Sequence, residues 1–149
     1  MLEIFTDGAC KGNPGPGGFG VVVCEYSDTL EYCIIKDQYQ KACNNTTNNR
    51  EELKAILYSL IKYGKVWPTP VVWSDSAYAV NTLTKWMYSW ANNEWKKSDN
   101  KVPENLDLIQ SYYQLIKLGY RIDLRKIKGH AGHKYNELAD KLATFSIKL

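Results

Sequence analysis

Leu2-Glu3-Ile4-Phe5-Thr6-Asp7-Gly8-Ala9-Cys10, continued by Lys11-Gly12-Asn13-Pro14-Gly15-Pro16-Gly17-Gly18-Phe19-Gly20, decides the architecture of this 149-residue chain. Leu2, Ile4 and Phe5 mark a short strand that ends on Asp7. The glycines and prolines that follow exclude a helix or a long strand there. A carboxylate at a strand end, beside backbone that a ligand can approach closely, is suited to hold a cation.

Outward from this stretch, Phe19–Tyr26 reads as a second strand, Ser27-Asp28 as a turn, and Leu30–Ile35 as a third strand. Short connections make the three an antiparallel meander. Residues 36–46 are polar and read as a loop. Thr47 or Asn48 caps a helix that runs to Tyr63, with Gly64 stopping it and Glu51 three residues beyond Asn48. Leu53, Ile56, Leu57, Leu60 and Ile61 form its apolar stripe, and Glu52 lies beside that stripe in the first turn. Val71–Asp75 is a buried strand ending on an acid, and Ser76 can cap a helix through Leu83. Trp86 and Trp90, one turn apart, mark a further short helix. Lys96, Lys97 and Lys101 surround Trp95 in a polar stretch. A helix after Pro103 carries Leu106, Ile109, Tyr113 and Ile116 on one face and ends at Gly119. Tyr120–Ile127 is the last strand, Lys128–His133 a loop, and a helix from Lys134 or Tyr135 turns Leu138, Leu142 and Phe145 inward. The order βββ-α-β-α-α-α-β-α describes an α/β fold: a mixed five-stranded sheet, three antiparallel strands then two parallel additions, flanked by helices. With no repeat and no linker, residues 1–149 read as one domain.

Composition, at 44% hydrophobic and 23% charged residues, is that of a globular protein large enough to bury a core. No apolar run reaches the ~20 residues of a membrane span, and no secretory signal is visible. The expectation is a cytoplasmic monomer with no membrane partner. Cys10, Cys24, Cys33 and Cys43 lack the paired spacing of a zinc site and read as reduced thiols. The net charge of +3 is uneven: residues 1–52 hold four Lys/Arg against eight Asp/Glu, residues 120–149 seven against three. An acidic front and a basic back suit cations at one place and a polyanion at another.

Four acids stand out. Asp7 and Asp75 end strands, while Glu52 and Asp140 sit beside the apolar faces of helices. If the first and fourth strands are neighbours, Asp7 and Asp75 lie side by side at the carboxyl edge of the sheet, where ligands of such sheets bind. Gathered carboxylates cannot all ionise without a partner. A pair of divalent cations resolves the conflict and can cleave a phosphodiester.

Thr6-Asp7-Gly8-Ala9-Cys10 with Gly12–Gly18, Thr47-Asn48-Asn49-Arg50-Glu51-Glu52-Leu53, Ser74-Asp75-Ser76, and Lys128-Gly129-His130-Ala131-Gly132-His133 through Asn136 to Asp140 resemble ribonuclease H, type 1, in its cellular bacterial form, in order and near the family's spacing. The resemblance spans essentially the whole chain. It implies an endonuclease that cuts the RNA strand of an RNA–DNA hybrid, with two Mg²⁺ ions for which Mn²⁺ can substitute. It implies Asp7, Glu52, Asp75 and Asp140 as metal-binding acids. His130 matches the family's loop histidine, which suits proton transfer or product release. His133 reads as structural. Backbone groups near Gly8 and Cys10, together with Glu52, match contacts to the RNA 2′-hydroxyls. Asn13, Asn48 and Asn49 match nucleic-acid contacts, Thr47 and Arg50 a pocket for a DNA-strand phosphate, and Trp86 a position near the DNA backbone. Asn136, one turn before Asp140, faces the same way and can orient it or a water. Ala91-Asn92-Asn93-Glu94 stands where relatives are rich in Lys and Arg, and Ala77 where they often carry an amide.

Two rival readings share these features. One is a module that grips hybrids without cutting, for which four acids would be a hindrance. The other is a DNA nuclease or transposase-like member of the same wider fold. The glycine pattern of residues 15–20 matches a dinucleotide fingerprint, but a strand follows it instead of a helix.

Overall fold

The computed structural model describes residues 1–27, 32–127 and 134–148. Five strands form one sheet in the order β3-β2-β1-β4-β5. They are β1 (Leu2–Cys10), β2 (Gly15–Ser27), β3 (Tyr32–Thr46), β4 (Val71–Ser74) and β5 (Asp123–Lys126). β2 pairs antiparallel with β1 and with β3, whereas β4 runs parallel to β1 and β5 parallel to β4. The mixed sheet expected from the element order is therefore the one observed.

In the parallel half of the sheet β5 is shorter than the expected Tyr120–Ile127, and in the antiparallel half three boundaries differ from the sequence reading, each because strand pairing outweighs local composition. β1 does not stop at Asp7: its ladder with β2 runs from Leu2↔Glu25 to Cys10↔Gly17. The glycine-rich stretch is strand from Gly15 onward. A Cβ at Gly17 would stand 2.6 Å from both the Ala9 carbonyl and the Thr46 methyl, so glycine lets three strands close up there. Residues 36–46 are strand and not loop; they pair with β2 from Asp37 to Thr46, and Tyr39 stacks on Tyr58 at 4.3 Å.

The helices are α1 (Asn48–Tyr63), α2 (Ala77–Asn81), α3 (Met87–Ala91), α4 (Leu106–Lys117) and α5 (Lys134–Lys148). α2 continues through a π-helical turn at Thr82–Trp86 into α3, so the two short helices expected here form one broken rod. α1 opens on Thr47, whose hydroxyl accepts the Arg50 N–H at 3.1 Å, and the Gly64 N–H closes it on the Leu60 carbonyl.

Alternation along the strands supplies both faces of the sheet. Ile4, Phe19, Val21, Val23 and Val72 pack with Ala55 of α1. Phe5, Val22 and Cys24 pack on the opposite face with Ala139 of α5. Leu53, Ile56 and Leu60 of α1 meet Ala79, Leu83, Met87, Ile109 and Tyr112 in a second layer of core. Full burial of such a side chain is worth about 1.5–3 kcal/mol. α1 and α5 thus clamp β1 from opposite sides, and the acids they carry travel with them.

Candidate active site

Asp7 lies in the middle of the central strand. The last parallel pair between β1 and β4 is Phe5↔Trp73, and two residues further along each chain bring Asp7 beside Asp75. Asp75 is held by what surrounds it. The Ser76 N–H donates to Ser74 Oγ at 3.1 Å, and Ser76 Oγ caps α2 by accepting the Ala79 N–H at 3.0 Å.

Two glycines let the helices reach Asp7. A Cβ on Gly8 would stand 2.5 Å from the Glu52 nitrogen, so only glycine lets the first turn of α1 rest on β1. Gly20, paired with Asp7 across the ladder, plays the same part for α5; its Cβ would stand 2.4 Å from the Ala139 carbonyl. One glycine thus admits Glu52 and the other admits Asp140.

Ligand oxygens of Asp7, Glu52 and Asp75 all lie within 4.8 Å of one another. Asp140 adds a fourth carboxyl, within hydrogen-bonding reach of Asp7. The Gly8 N–H is shared, donating to Asp7 Oδ1 at 3.0 Å and to Glu52 Oε1 at 3.1 Å. Asp7 and Glu52 are each only 3% exposed. Burial first, and then the Glu52 charge and contact with Asp140, push the Asp7 carboxyl far above the usual carboxylate range. Burial likewise raises Glu52, opposed by hydrogen bonds with Asp7, the Gly8 N–H and Ser74, and helped by the Asp75 charge. Glu52 Oε2 is buried without a hydrogen-bond partner among the described residues. No cation among the described residues pairs with either Asp7 or Glu52. Hard oxygen donors at this spacing, with an orphaned buried oxygen among them, fit divalent cations such as Mg²⁺ or Mn²⁺.

The remaining expected contacts form an apron around this centre. Asn13 is exposed, and its Oδ1 accepts the Asn48 N–H at 2.8 Å, tying the glycine-rich stretch to the start of α1. Asn48 and Asn49 are exposed at that helix start. Cys10 Sγ donates to the Thr46 carbonyl at 3.2 Å. Trp86 is 43% exposed and leans on Trp90. Asn136 is fully buried, and neither amide atom has a hydrogen-bond partner among the described residues. His130 and His133 lie outside the described residues.

The structure adds residues that sequence reasoning missed. Arg50 forks onto Asp107, with Nη1 donating to Oδ1 at 2.9 Å and Nη2 to Oδ2 at 2.6 Å, and Nη1 also reaches Asn105 Oδ1 at 3.4 Å. These partners are 55 and 57 residues away, so no local pattern announces them. Asn105 begins α4 in the left-handed region, at φ 60°, a conformation that asparagine tolerates.

A mixed sheet in this order, with acids on its central strand and on the helices that clamp it, defines the ribonuclease H-like class of fold. A model of the RNase H family matches residues 1–148. Ribonuclease H of Caldanaerobacter subterraneus subsp. tengcongensis is 42% identical over 150 residues, covering 99% of this chain and 92% of that protein. Ribonuclease HI of Haemophilus influenzae is 41% identical over 144 residues, covering 96% and 87%. The crystal structure of LC9-RNase H1, a type 1 RNase H with the type 2 active-site motif, superposes with a TM-score of 0.81 at 30% identity, covering 99% of this chain and 72% of that one. The chain belongs to the RNase H family. Its activity is the family's: hydrolysis of the RNA strand of an RNA–DNA hybrid.

Proposed function

We propose that Asp7, Glu52, Asp75 and Asp140 hold two divalent cations, Mg²⁺ with Mn²⁺ as a substitute, and that the chain acts as one catalytic domain on the hybrid. The observation that carries this reading is the convergence of two buried carboxylates, from β1 and α1, with two half-buried ones, from the end of β4 and from α5, with no cation beside Asp7 or Glu52 among the described residues. Bound there, the ions would activate a water and steady the leaving oxygen of the phosphodiester.

The chain's own residues do the rest. The shared Gly8 N–H fixes the Asp7 and Glu52 oxygens side by side. The Ser76 cap fixes the backbone on which Asp75 stands. Gly8 and Cys10 present backbone to the RNA 2′-hydroxyls, and Glu52 adds a carboxylate acceptor. Asn13, Asn48 and Asn49 meet the nucleic acid at the exposed start of α1. Thr47 and Arg50 hold a DNA-strand phosphate there, where helix N–H groups and a guanidinium favour an anion. Trp86 approaches the DNA backbone, Asn136 orients Asp140, and His130 moves a proton or helps product leave. The protein works as a cytoplasmic monomer, which a sedimentation mass near 17.1 kDa would support.

The test has two readouts. Mg²⁺ at about 100 times its Kd should stabilise the wild type by about 2.7 kcal/mol in thermal unfolding and leave Asp7→Asn unmoved. The same variant should bind a labelled hybrid without cutting it. Equal metal stabilisation of both proteins would remove Asp7 from the metal site.

A further inference from the structure

We propose that Asp107 is a built-in competitor for Arg50: it occupies the guanidinium fork that a DNA-strand phosphate must take, so the hybrid binds by displacing it. The inference rests on the reading that Arg50 meets such a phosphate, and it adds a residue that sets how tightly the hybrid is held.

The geometry is that of a phosphate surrogate. Both terminal nitrogens of Arg50 point at the two Asp107 oxygens, at 2.9 and 2.6 Å, in the two-pronged arrangement a guanidinium also uses for phosphate. A fork filled in this way cannot grip a second anion with the same two nitrogens. Asp107 is also preplaced. Asn105, two residues before it, donates from Nδ2 to the Tyr78 hydroxyl at 3.1 Å and accepts from Arg50. The Leu108 and Ile109 N–H groups both close on the Asn105 carbonyl, which pins the first turn of α4.

Release is easy for the same reasons. The Asp107 side chain is 64% exposed and sits in the first turn of α4, where water and the helix N-terminus keep a carboxylate comfortable without Arg50. The Arg50 side chain is 30% exposed and can turn toward a ligand. An exposed pair of this kind adds little to folding stability. Its consequence falls on binding: one cation of the site is neutralised until the hybrid arrives, and a carboxylate remains near the phosphate afterwards.

The experiment measures hybrid binding with divalent metal chelated, as a function of salt, for Asp107→Asn, Arg50→Ala and the double variant. Asp107→Asn should bind about two- to fivefold tighter and steepen the log–log salt dependence by up to about 0.9, the equivalent of one more phosphate contact. The gain should vanish in the Arg50→Ala background. Asp107→Ser, which also suits a helix start, serves beside it should the Asn variant fold poorly. Weaker binding by Asp107→Asn would make the acid a holder of Arg50 and overturn the competitor. A gain that survives without Arg50 would reduce the effect to general charge repulsion and overturn it as well. Wild-type binding by Arg50→Ala would remove the phosphate contact itself, on which the inference rests, while leaving the metal-site reading to its own test.

Discussion

Glu51 and Glu52 are adjacent in the first turn of α1, 1% and 3% exposed, yet they lead into two different regions of the molecule. Glu51 turns toward β3, where Oε2 accepts from the Thr46 hydroxyl at 2.7 Å and pairs with Lys54 at 2.8 Å. Glu52 turns toward Asp7 and Asp75, receives the Gly8 N–H, lies within hydrogen-bonding reach of Asp7 and Ser74, and meets no cation among the described residues. Each keeps one buried oxygen without a hydrogen-bond partner among the described residues. Burial is thus the same on both sides. What differs is the sign of the neighbours: a cation beside Glu51, carboxylates beside Glu52. A buried acid among acids has no structural use in the free protein, which is why it points to a cation supplied from outside.

The largest break of this comparison is Asp7→Asn. RNA-strand cleavage should fall by at least about a thousandfold, because the proposed metal site would lose a ligand. Unfolding of the metal-free protein should at the same time shift upward by a few degrees, about 1 kcal/mol, because a repelled carboxylate is gone. A drop in both would make Asp7 an acid of the Glu51 kind. Next comes Gly20→Ala, read by single-turnover kinetics. Pushing α5 off β1 should move Asp140 and lower the cleavage rate by about 10–100-fold, the range a misplacement near 1 Å allows. A wild-type rate would show that Asp140 does not depend on that contact.

Glu51→Gln should do the reverse of Asp7→Asn. It should cost about 1–3 kcal/mol in denaturant unfolding, because Lys54 and Thr46 lose a charged acceptor. Cleavage by the folded protein should survive; a thousandfold loss would erase the distinction between the two regions.

The smallest effect is a pH trend. Glu52 is pushed up to about 7 in the folded protein, against an ordinary value near 4.5. Through that window the native state keeps a proton that the unfolded chain has released. The stabilisation is therefore full below the ordinary value and lost as pH rises through about 7. Metal-free protein should melt higher at pH 5 than at pH 8, and Glu52→Gln should flatten the difference. A wild-type melting temperature rising over that interval, with no change of slope in the variant, would contradict the repulsion at Glu52.

Much of this was readable beforehand. The apolar stripe and Thr47 marked α1, Val71–Ser74 marked β4, and the order of elements marked the sheet, because each rests on local periodicity or capping. The acids were marked by their places on those elements. Strand ends were not legible: β1 runs past Asp7 and residues 36–46 are strand because β2 supplies hydrogen bonds that neighbours in sequence cannot. Nor was the fate of Arg50, which depends on Asp107 at the start of another helix. The opposite destinies of Glu51 and Glu52 follow from which way a helix turns after it lands on Gly8. A sequence shows two acids in a row; only packing tells them apart.

The close seat that Gly20 gives α5 has a consequence in time. The ribosome makes the whole sheet before it makes Asp140. A nascent chain therefore carries three acids of the set while the fourth is still untranslated. If Asp140 completes the proposed metal site, cutting power arrives with the docking of α5, and a half-made polypeptide leaves any hybrid it meets intact.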